Sequence, residues 1–180
     1  MKVFNVTIRG TRPLLQHRFP EETAGAKAEK RTGPHDDSKE AELSLYRLPD
    51  GTVYQPAEHI EGALKQAAKD FRIEGKRSRS YSVLVQAQLE IQPRQIPHKI
   101  QHWVTDSRSV VLSATRGRIM RHRPRFDEWE LEFQIIDNDS QIPVDVIRAI
   151  LEHSGNHEGI GDYRPKYGRF AITKFDEVVR

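Results

Sequence analysis

The stretch from Gly159 to Phe170, GIGDYRPKYGRF, combines residue types that proteins use to hold a phosphate backbone. Glycine lets backbone N–H groups approach a phosphate without a Cβ in the way. Basic side chains neutralise phosphate charge, and a tyrosine ring offers a face on which an unpaired base stacks. The pattern favours a nucleic-acid contact over a loop that only turns and packs. Its candidate residues are Gly159, Gly161, Tyr163, Arg164, Lys166, Tyr167 and Arg169.

A second basic stretch, RGRIMRHRPR, places five arginines in the ten residues from Arg116 to Arg125. In an extended strand, alternate residues share a face, so parts of this cluster line one face together. The density favours a groove for a polyanion. The alternative is a solvated sheet face on which the arginines pair with Asp127, Glu128, Glu130 and Glu132. The predicted contacts outside the glycine-rich stretch are Arg12, His17, Arg18, Arg116, Arg118, Arg121, Arg123 and Arg125.

Four residues are candidates for catalysis. His17 and His122 lie among arginines, and such a histidine can act as the general base in metal-independent RNA cleavage. The adjacent carboxylates of Asp36 and Asp37 could hold Mg²⁺ together with phosphate oxygens. Nothing pairs the two histidines, and the run of Asp36 and Asp37 is also typical of a solvated loop or of the start of the helix near Ser38. We therefore expect a protein without a catalytic site, a metal or a cofactor.

The composition narrows the class of protein. Lys and Arg number 29 against 26 for Asp and Glu, so the net charge is only +3 and the positive charge matters where it is concentrated. The absence of cysteine excludes disulfides and thiolate chemistry and fits a reducing compartment. No segment approaches the roughly 20 apolar residues of a membrane span. We therefore expect a cytoplasmic protein that does not bind membranes.

The elements that would position these residues follow from hydrophobic periodicity. Alternating apolar residues predict strands, and apolar residues three and four apart predict helices. The predicted strands are Lys2–Arg9, Tyr81–Ile91, one near Val110–Leu112, Trp129–Ile136 and Phe170–Phe175. The predicted helices are Ser38–Arg47, one from Pro56 that ends before Gly75, and Pro143–Ser154 with Gly155 at the C-terminal stop position.

This order elaborates the βαββαβ pattern of an α+β, ferredoxin-like (RRM-like) fold with an antiparallel sheet and two helices. A chain of 180 residues buries one core, so we expect a single domain over residues 1–180. The segment 11–54 is rich in proline and glycine, and its middle is charged and poor in apolar residues. We therefore expect residues 19–48 to form an inserted, mobile, thumb-like loop.

Three features in this order resemble the RAMP superfamily of CRISPR-associated proteins, in particular the backbone subunits that polymerise along a CRISPR RNA. Residues 53–65, VYQPAEHIEGALK, are similar to the segment that opens the family's first helix. They keep its proline and its Gly-Ala-Leu-Lys end, while Ala57, Glu58 and His59 replace its Gly-Ser-Ser portion. The late glycine-rich stretch and the order of elements, with a middle insertion before Phe126–Ile136, are the other two features.

The resemblance implies a sequence-tolerant RNA-binding subunit of a ribonucleoprotein that serves antiviral defence. Its expected partners are single-stranded guide RNA, target DNA or RNA, further copies of the same chain and other effector subunits. Two alternatives stay open. One is a RAMP-type endoribonuclease that processes RNA through His17 or His122, and the other is a phage or mobile-element structural protein whose charged surfaces bind protein partners.

Overall fold

A computed structural model describes residues 1–19, 37–76, 78–111 and 117–178. Most of the predicted thumb-like loop lies outside these residues, and so do Asp36 and Arg116. None of the described helices is long and apolar enough to cross a membrane.

Strands and short helices follow one another along the described residues. In chain order, the strands are β1 (Lys2–Gly10), β2 (Leu14–Leu15), β3 (Tyr54–Pro56), β4 (Leu89–Gln92), β5 (Gln95–Pro97), β6 (Val104–Val111), β7 (Arg118–Phe126), β8 (Glu130–Asp137) and β9 (Phe170–Glu177). The helices are α1 (Asp37–Leu43), α2 (Ala57–Ala67), α3 (Ser82–Gln88) and α4 (Val144–His153), and a π-helical turn (Ser154–Glu158) follows α4.

A four-stranded antiparallel sheet forms the centre of the fold, with the strand order β4-β8-β1-β9. Helices α2 and α3 lie between its first and second strands in the chain, and α4 lies between its third and fourth. This arrangement is the βαββαβ topology of an elaborated ferredoxin-like fold. The predicted α+β fold class is confirmed.

Periodic apolar residues explain why these elements form and pack together. Phe4, Val6 and Ile8 of β1 are all fully buried, and Leu131 and Ile135 of β8 face the same core. The buried residues of the helices recur three and four apart, as a helix packed on a sheet requires. They are Ile60, Ala63, Leu64 and Ala67 in α2, and Ile147, Ile150 and Leu151 in α4.

A second, three-stranded sheet with the order β2-β7-β6 is inserted before β8. Strands β6 and β7 pair as an antiparallel hairpin over eight residues each, from Val104–Arg125 to Val111–Arg118. The short strand β2 pairs with the end of β7 through Leu14 and Phe126, both fully buried. Residues 118–125 of the arginine-rich stretch therefore lie in a strand, as predicted, and that strand is joined to the segment that follows β1.

The predicted strand over Tyr81–Ile91 is wrong for most of its length, because residues 82–88 form α3 and only the end forms β4. The alternation of Val83, Val85 and Ala87 suggested a strand. In the structure Val83 is 75% exposed, whereas Ser82, Val85 and Gln88 are buried, and a spacing of three residues is that of a helix. The Ser82 hydroxyl also donates to the carbonyl of Lys65 at 2.9 Å, which fixes α3 against the end of α2.

The predicted helix over Pro143–Ser154 agrees with α4, but the chain does not leave the helical path at Gly155. Helical turns continue as the π-helical turn, and Gly159, with a φ of 70°, ends them. Gly155 lies inside this turn because β9 passes close to it. A Cβ there would lie 2.3 Å from the carbonyl oxygen of Phe170.

Two helical glycines give a matched test of this packing. We expect Gly155→Ala to destabilise the fold by about 1–3 kcal/mol, because the new methyl group meets the β9 backbone. We expect Gly62→Ala to stabilise it by up to about 1 kcal/mol, since alanine favours a helix and a Cβ at Gly62 meets nothing within 4 Å. Urea denaturation measures both, and equal effects of the two changes would contradict the packing described.

Candidate nucleic-acid interface

The glycine loop, Gly159–Arg169, joins the π-helical turn to β9. Gly159, Gly161 and Gly168 have φ angles of 70°, 78° and 72°, a left-handed region that glycine enters without steric cost. A Cβ at Gly168 would lie 1.8 Å from the carbonyl oxygen of Ile160. The glycines therefore allow the loop to fold closely on itself.

Backbone hydrogen bonds fasten the glycine loop to the segment that follows β1. The amide of Asp162 donates to the carbonyl of Leu15 at 2.8 Å, and the amide of Gly168 donates to that of Pro13 at 2.8 Å. Inside the loop, the amide of Ile160 donates to the carbonyl of Gly168 at 3.0 Å. Protein carbonyls occupy these N–H groups, so what the loop offers a ligand here is its side chains.

This attachment places the predicted contacts of the segment 11–18 beside those of the glycine loop. The amides of Thr11 and Arg12 donate to the carbonyl of Arg169 at 2.8 and 3.2 Å. The Nδ1 atom of His17 lies 3.7 Å from Oδ2 of Asp162. Residues from the two ends of the sequence thus form one surface.

Arg123 of β7 pairs with Asp162 beneath this surface. Its Nε lies 2.7 Å from Oδ2 of Asp162, and Arg123 is 8% exposed. The contact is electrostatic and not a well-aligned hydrogen bond, since these two atoms and Nη1 of Arg123 are buried without a hydrogen-bond partner among the described residues. A buried charge is tolerated beside an opposite charge, so the pair holds β7 against the glycine loop.

Two arginines and two tyrosines form what we call the tyrosine–arginine cluster, made of Arg108, Arg123, Tyr163 and Tyr167. The Cζ atom of Arg108 lies 4.7 Å from the ring centroid of Tyr167, and that of Arg123 lies 5.6 Å from the ring centroid of Tyr163. The two rings meet edge to face with centroids 6.3 Å apart. Tyr163 is 42% exposed, so part of its ring stays open to a ligand.

Arg108 of β6 enters the cluster through strand pairing. It lies opposite Arg121 in the β6–β7 ladder, and directly paired residues point to the same face. Its guanidinium donates to the carboxylate of Asp106 and to the hydroxyl of Tyr167, which is 59 positions away in the sequence. Such a contact carries no local sequence signal, and Arg108 was not among the predicted site residues.

Arg121, Arg123 and Arg125 of β7 share one face, as their parity predicted, while Arg118 lies on the other, and most of the charge on the shared face is compensated inside the fold. Arg121 lies 3.2 Å from Glu40, and Arg125 lies 3.2 Å from Asp106 and 2.8 Å from Asp127. Four acids were expected to pair with these arginines, and one of the four, Asp127, pairs with Arg125. The strand therefore supports the site more than it supplies free positive charge.

His122 lies on the other face of β7. It is 4% exposed, and its Nδ1 is 2.8 Å from the hydroxyl oxygen of Ser107. A general base must come within hydrogen-bond reach of the proton that it takes, and a substrate does not reach a buried ring without a rearrangement. The side chain of His17 is 40% exposed and is the accessible one of the two histidines.

At the glycine loop and the segment beside it, several basic side chains have no carboxylate partner among the described residues. Arg169 donates from Nε to the carbonyl of Pro165 at 2.8 Å, which is a neutral partner. Among the other predicted contacts, five basic side chains make neither an ion pair nor a hydrogen bond with any residue in the described ranges. They are Arg12, Arg18, Arg118, Arg164 and Lys166.

Two histidines near the loop, His17 and His59, do not add to this charge at neutral pH. Burial lowers the pKa of His17, and the guanidinium of Arg123 lowers it further against the opposing effect of Asp162. Burial likewise lowers the pKa of His59 in α2, with a further contribution from Arg164. Both imidazoles are therefore neutral at pH 7, and arginine and lysine supply the positive charge.

A buried polar network supports the segment 11–18 from below. The side-chain amide of Gln16 donates to the carbonyl of Tyr54 at 2.8 Å and to Oε1 of Gln55 at 3.0 Å. It also lies 3.3 Å from Nε2 of His98, and the side chain of Gln55 contacts His59. Burial of His98 lowers its pKa to about 4, so its ring is neutral. None of these four network side chains was predicted as part of the site.

A cleft of about 540 Å³ opens between α2 and the glycine loop. Its lining residues are Gly62, Gln66, Glu158, Gly161, Asp162, Tyr163, Arg164 and Pro165. Among the residues that the structure describes, no three His, Asp or Glu side chains are grouped so as to hold a metal ion. The Asp36 carboxylate, a candidate metal ligand, lies outside the described residues.

No protein-family model matches the sequence, and no curated protein matches it. The fold is similar to a chain in the cryo-EM structure of the type III-B Cmr-beta bound to cognate target RNA, with a TM-score of 0.57 and 14% sequence identity. The match covers 98% of this chain and 60% of that chain, so the protein spans less than two thirds of its structural neighbour. At this identity, the likeness shows a shared fold.

The buried network generates a prediction about pH. His98 has a pKa of about 4 in the folded protein, against 6.5 in the unfolded chain. Its contribution to stability is complete above pH 6.5 and is lost as the pH falls from 6.5 to 4, a difference of about 3 kcal/mol. Urea denaturation at pH 7 and at pH 4 should therefore show that wild type loses more stability than His98→Gln, which cannot titrate. If the free energy of unfolding falls equally with pH in the two proteins, this would contradict a buried, neutral His98.

Proposed function

We propose that the chain is a sequence-tolerant RNA-binding subunit that assembles along a single-stranded guide RNA in a CRISPR-type effector complex. The observation that carries the proposal is the glycine loop, where uncompensated basic side chains stand next to a half-exposed tyrosine. Phosphate groups and unpaired bases are the ligands that this combination fits.

The basic side chains support binding to the backbone of the strand. Arg164 and Lys166 of the glycine loop, and Arg12 and Arg18 of the segment beside it, have no carboxylate partner among the described residues. They come from two segments joined by backbone hydrogen bonds, so their spacing is set by the fold. Contacts of this kind neutralise phosphates without reading sequence.

The aromatic residues favour a single strand over a duplex. A base stacks on a tyrosine only when it is unpaired or at an end. Tyr163 is held in place by Tyr167 and two arginines and still exposes 42% of its surface. Its φ of 59° is unusual for a residue with a side chain, and such strain is often kept where it orients a functional group.

The fold likeness adds to the proposal at a coarser level. The structural neighbour belongs to a type III-B complex bound to target RNA, and its chain shares the topology described above. We infer that this chain also works within an assembly, alongside further copies of itself and other effector subunits. Strands β4 and β9, at the edges of the central sheet, leave backbone groups for a neighbouring subunit to pair with.

Removing charge from the glycine loop tests the proposal. We expect Arg164→Gln with Lys166→Gln to weaken the binding of single-stranded RNA and to flatten its dependence on salt. Each lost phosphate contact reduces the slope of log K against log salt by about 0.7, so the double variant should lose about 1.4. Fluorescence anisotropy of a labelled oligouridine at several salt concentrations measures this slope.

Arg9→Gln is the matched control, since the guanidinium of Arg9 is already paired with Glu130 at 2.7 Å. We expect it to leave the slope unchanged. If wild type binds no RNA at low salt, the proposal fails, and a structural protein with protein partners becomes the better explanation. If both variants reduce binding equally, the glycine loop is not the binding surface.

A further inference from the structure

The cleft between α2 and the glycine loop has the size and the lining of a site for one nucleobase. Its volume of about 540 Å³ lies within the range of small-molecule sites. Tyr163 and Arg164 line it, so it opens beside the surface proposed to bind the RNA backbone. A base turned away from the strand could enter it while the phosphates stay on the loop.

The absence of a side chain at Gly62 keeps the cleft open. Gly62 lies within α2, and a Cβ built there meets no atom within 4 Å. Alanine would suit a helix better by about 1 kcal/mol. The helix thus has a position on the lining of the cleft where a larger residue would fit without strain.

Besides Tyr163 and Arg164, which the proposed function assigns to the RNA strand, two polar side chains on the lining are available to a ligand. The carboxylate of Glu158 is partly buried and makes no ion pair or hydrogen bond with a residue of the described part. The side-chain carbonyl of Gln66 accepts from the ammonium group of Lys69 at 2.6 Å, which leaves its NH₂ group free to donate. The other acid, Asp162, is paired with Arg123. The cleft therefore presents a pair of acceptors from Glu158 and a donor from Gln66.

The acceptors of Glu158 and the donor of Gln66 favour some ligands over others. A phosphate is disfavoured next to Glu158, because the two negative charges would repel each other, and it fits the guanidinium of Arg164 better. Among the bases, guanine alone carries two adjacent N–H donors, on N1 and N2, next to the acceptor O6. Those donors match the two carboxylate oxygens of Glu158, and O6 matches the amide of Gln66. Uracil offers a single N–H donor between two carbonyls, which face a carboxylate unfavourably.

We infer that this cleft binds one unpaired guanine of the bound RNA through Glu158 and Gln66. The protein then tolerates any sequence along the rest of the RNA but prefers guanine at one position. The inference rests on the proposed function, because it places the guanine in the strand held by the glycine loop. Carboxylate recognition of base N–H groups is among the established pairings of side chains with base edges.

Three labelled RNAs test the inference: an oligouridine, the same strand with one central guanosine, and the same strand with inosine there. Inosine lacks the N2 amino group and differs from guanosine in nothing else. We expect the guanosine strand to bind wild type on the order of tenfold more tightly than the oligouridine, and inosine to lose most of that gain.

Three variants locate the preference. Glu158→Gln replaces one of the two acceptors with an NH₂ donor, and Gly62→Met places a long side chain at the lining of the cleft, so both should bind the three RNAs nearly equally while keeping the wild-type affinity for oligouridine. Gly62→Ala is the matched control and should keep the preference. Urea denaturation shows whether each variant is folded. If Gly62→Met does not fold, Glu158→Gln still provides the test.

The outcomes distinguish a failure of the proposed function from a failure of the guanine site. If wild type binds none of the RNAs, the proposed function itself fails. If it binds all three equally, RNA binding stands and the guanine site is overturned. A guanosine preference that survives both Glu158→Gln and Gly62→Met would place recognition elsewhere and would also overturn this site.

Discussion

The attachment of the glycine loop to the segment after β1 is the interaction on which the rest of the site depends. It consists of backbone hydrogen bonds, led by the amides of Asp162 and Gly168, which donate to Leu15 and Pro13. These bonds do not depend on side-chain identity, but they require the close approach that Gly161 and Gly168 allow. They bring together basic residues from the two ends of the chain on one surface.

Two arginines of the β6–β7 hairpin connect it to that surface. Arg123 reaches from β7 to Asp162, and Arg108 reaches from β6 to Tyr167. Since a buried arginine without its carboxylate is costly, these contacts fix the position of the glycine loop relative to the second sheet. The exposed basic residues are then held at defined distances from an aromatic face, which would lower the cost of ordering them in the proposed complex with RNA.

Much of the fold could be predicted from local patterns. The alternation in β1 and β8 and the apolar stripes of α2 and α4 identified the ferredoxin-like core, because burial against one sheet imposes those periods. The pattern failed over residues 82–88, where Val83 and Val85 suggested a strand although only one of them is buried. Short apolar runs of this kind fit both periods, and tertiary packing decides between them.

The site was less accessible from sequence than the fold. Residue type and density identified the glycine loop and the arginines of β7, but not which charges remain uncompensated. Pairings such as Arg121 with Glu40, or the contact of Gln16 with His98, join residues far apart in the chain. They depend on strand register and burial, which composition does not specify.

The most direct test of RNA binding at the glycine loop is photo-crosslinking of the protein to a single-stranded RNA, with the crosslinked peptides identified by mass spectrometry. Crosslinks at Tyr163 or Tyr167, together with the segment 11–18, are the predicted result, because these residues form one surface beside the uncompensated basic side chains. Crosslinks confined to β8 and α4, with none in these two segments, would contradict it.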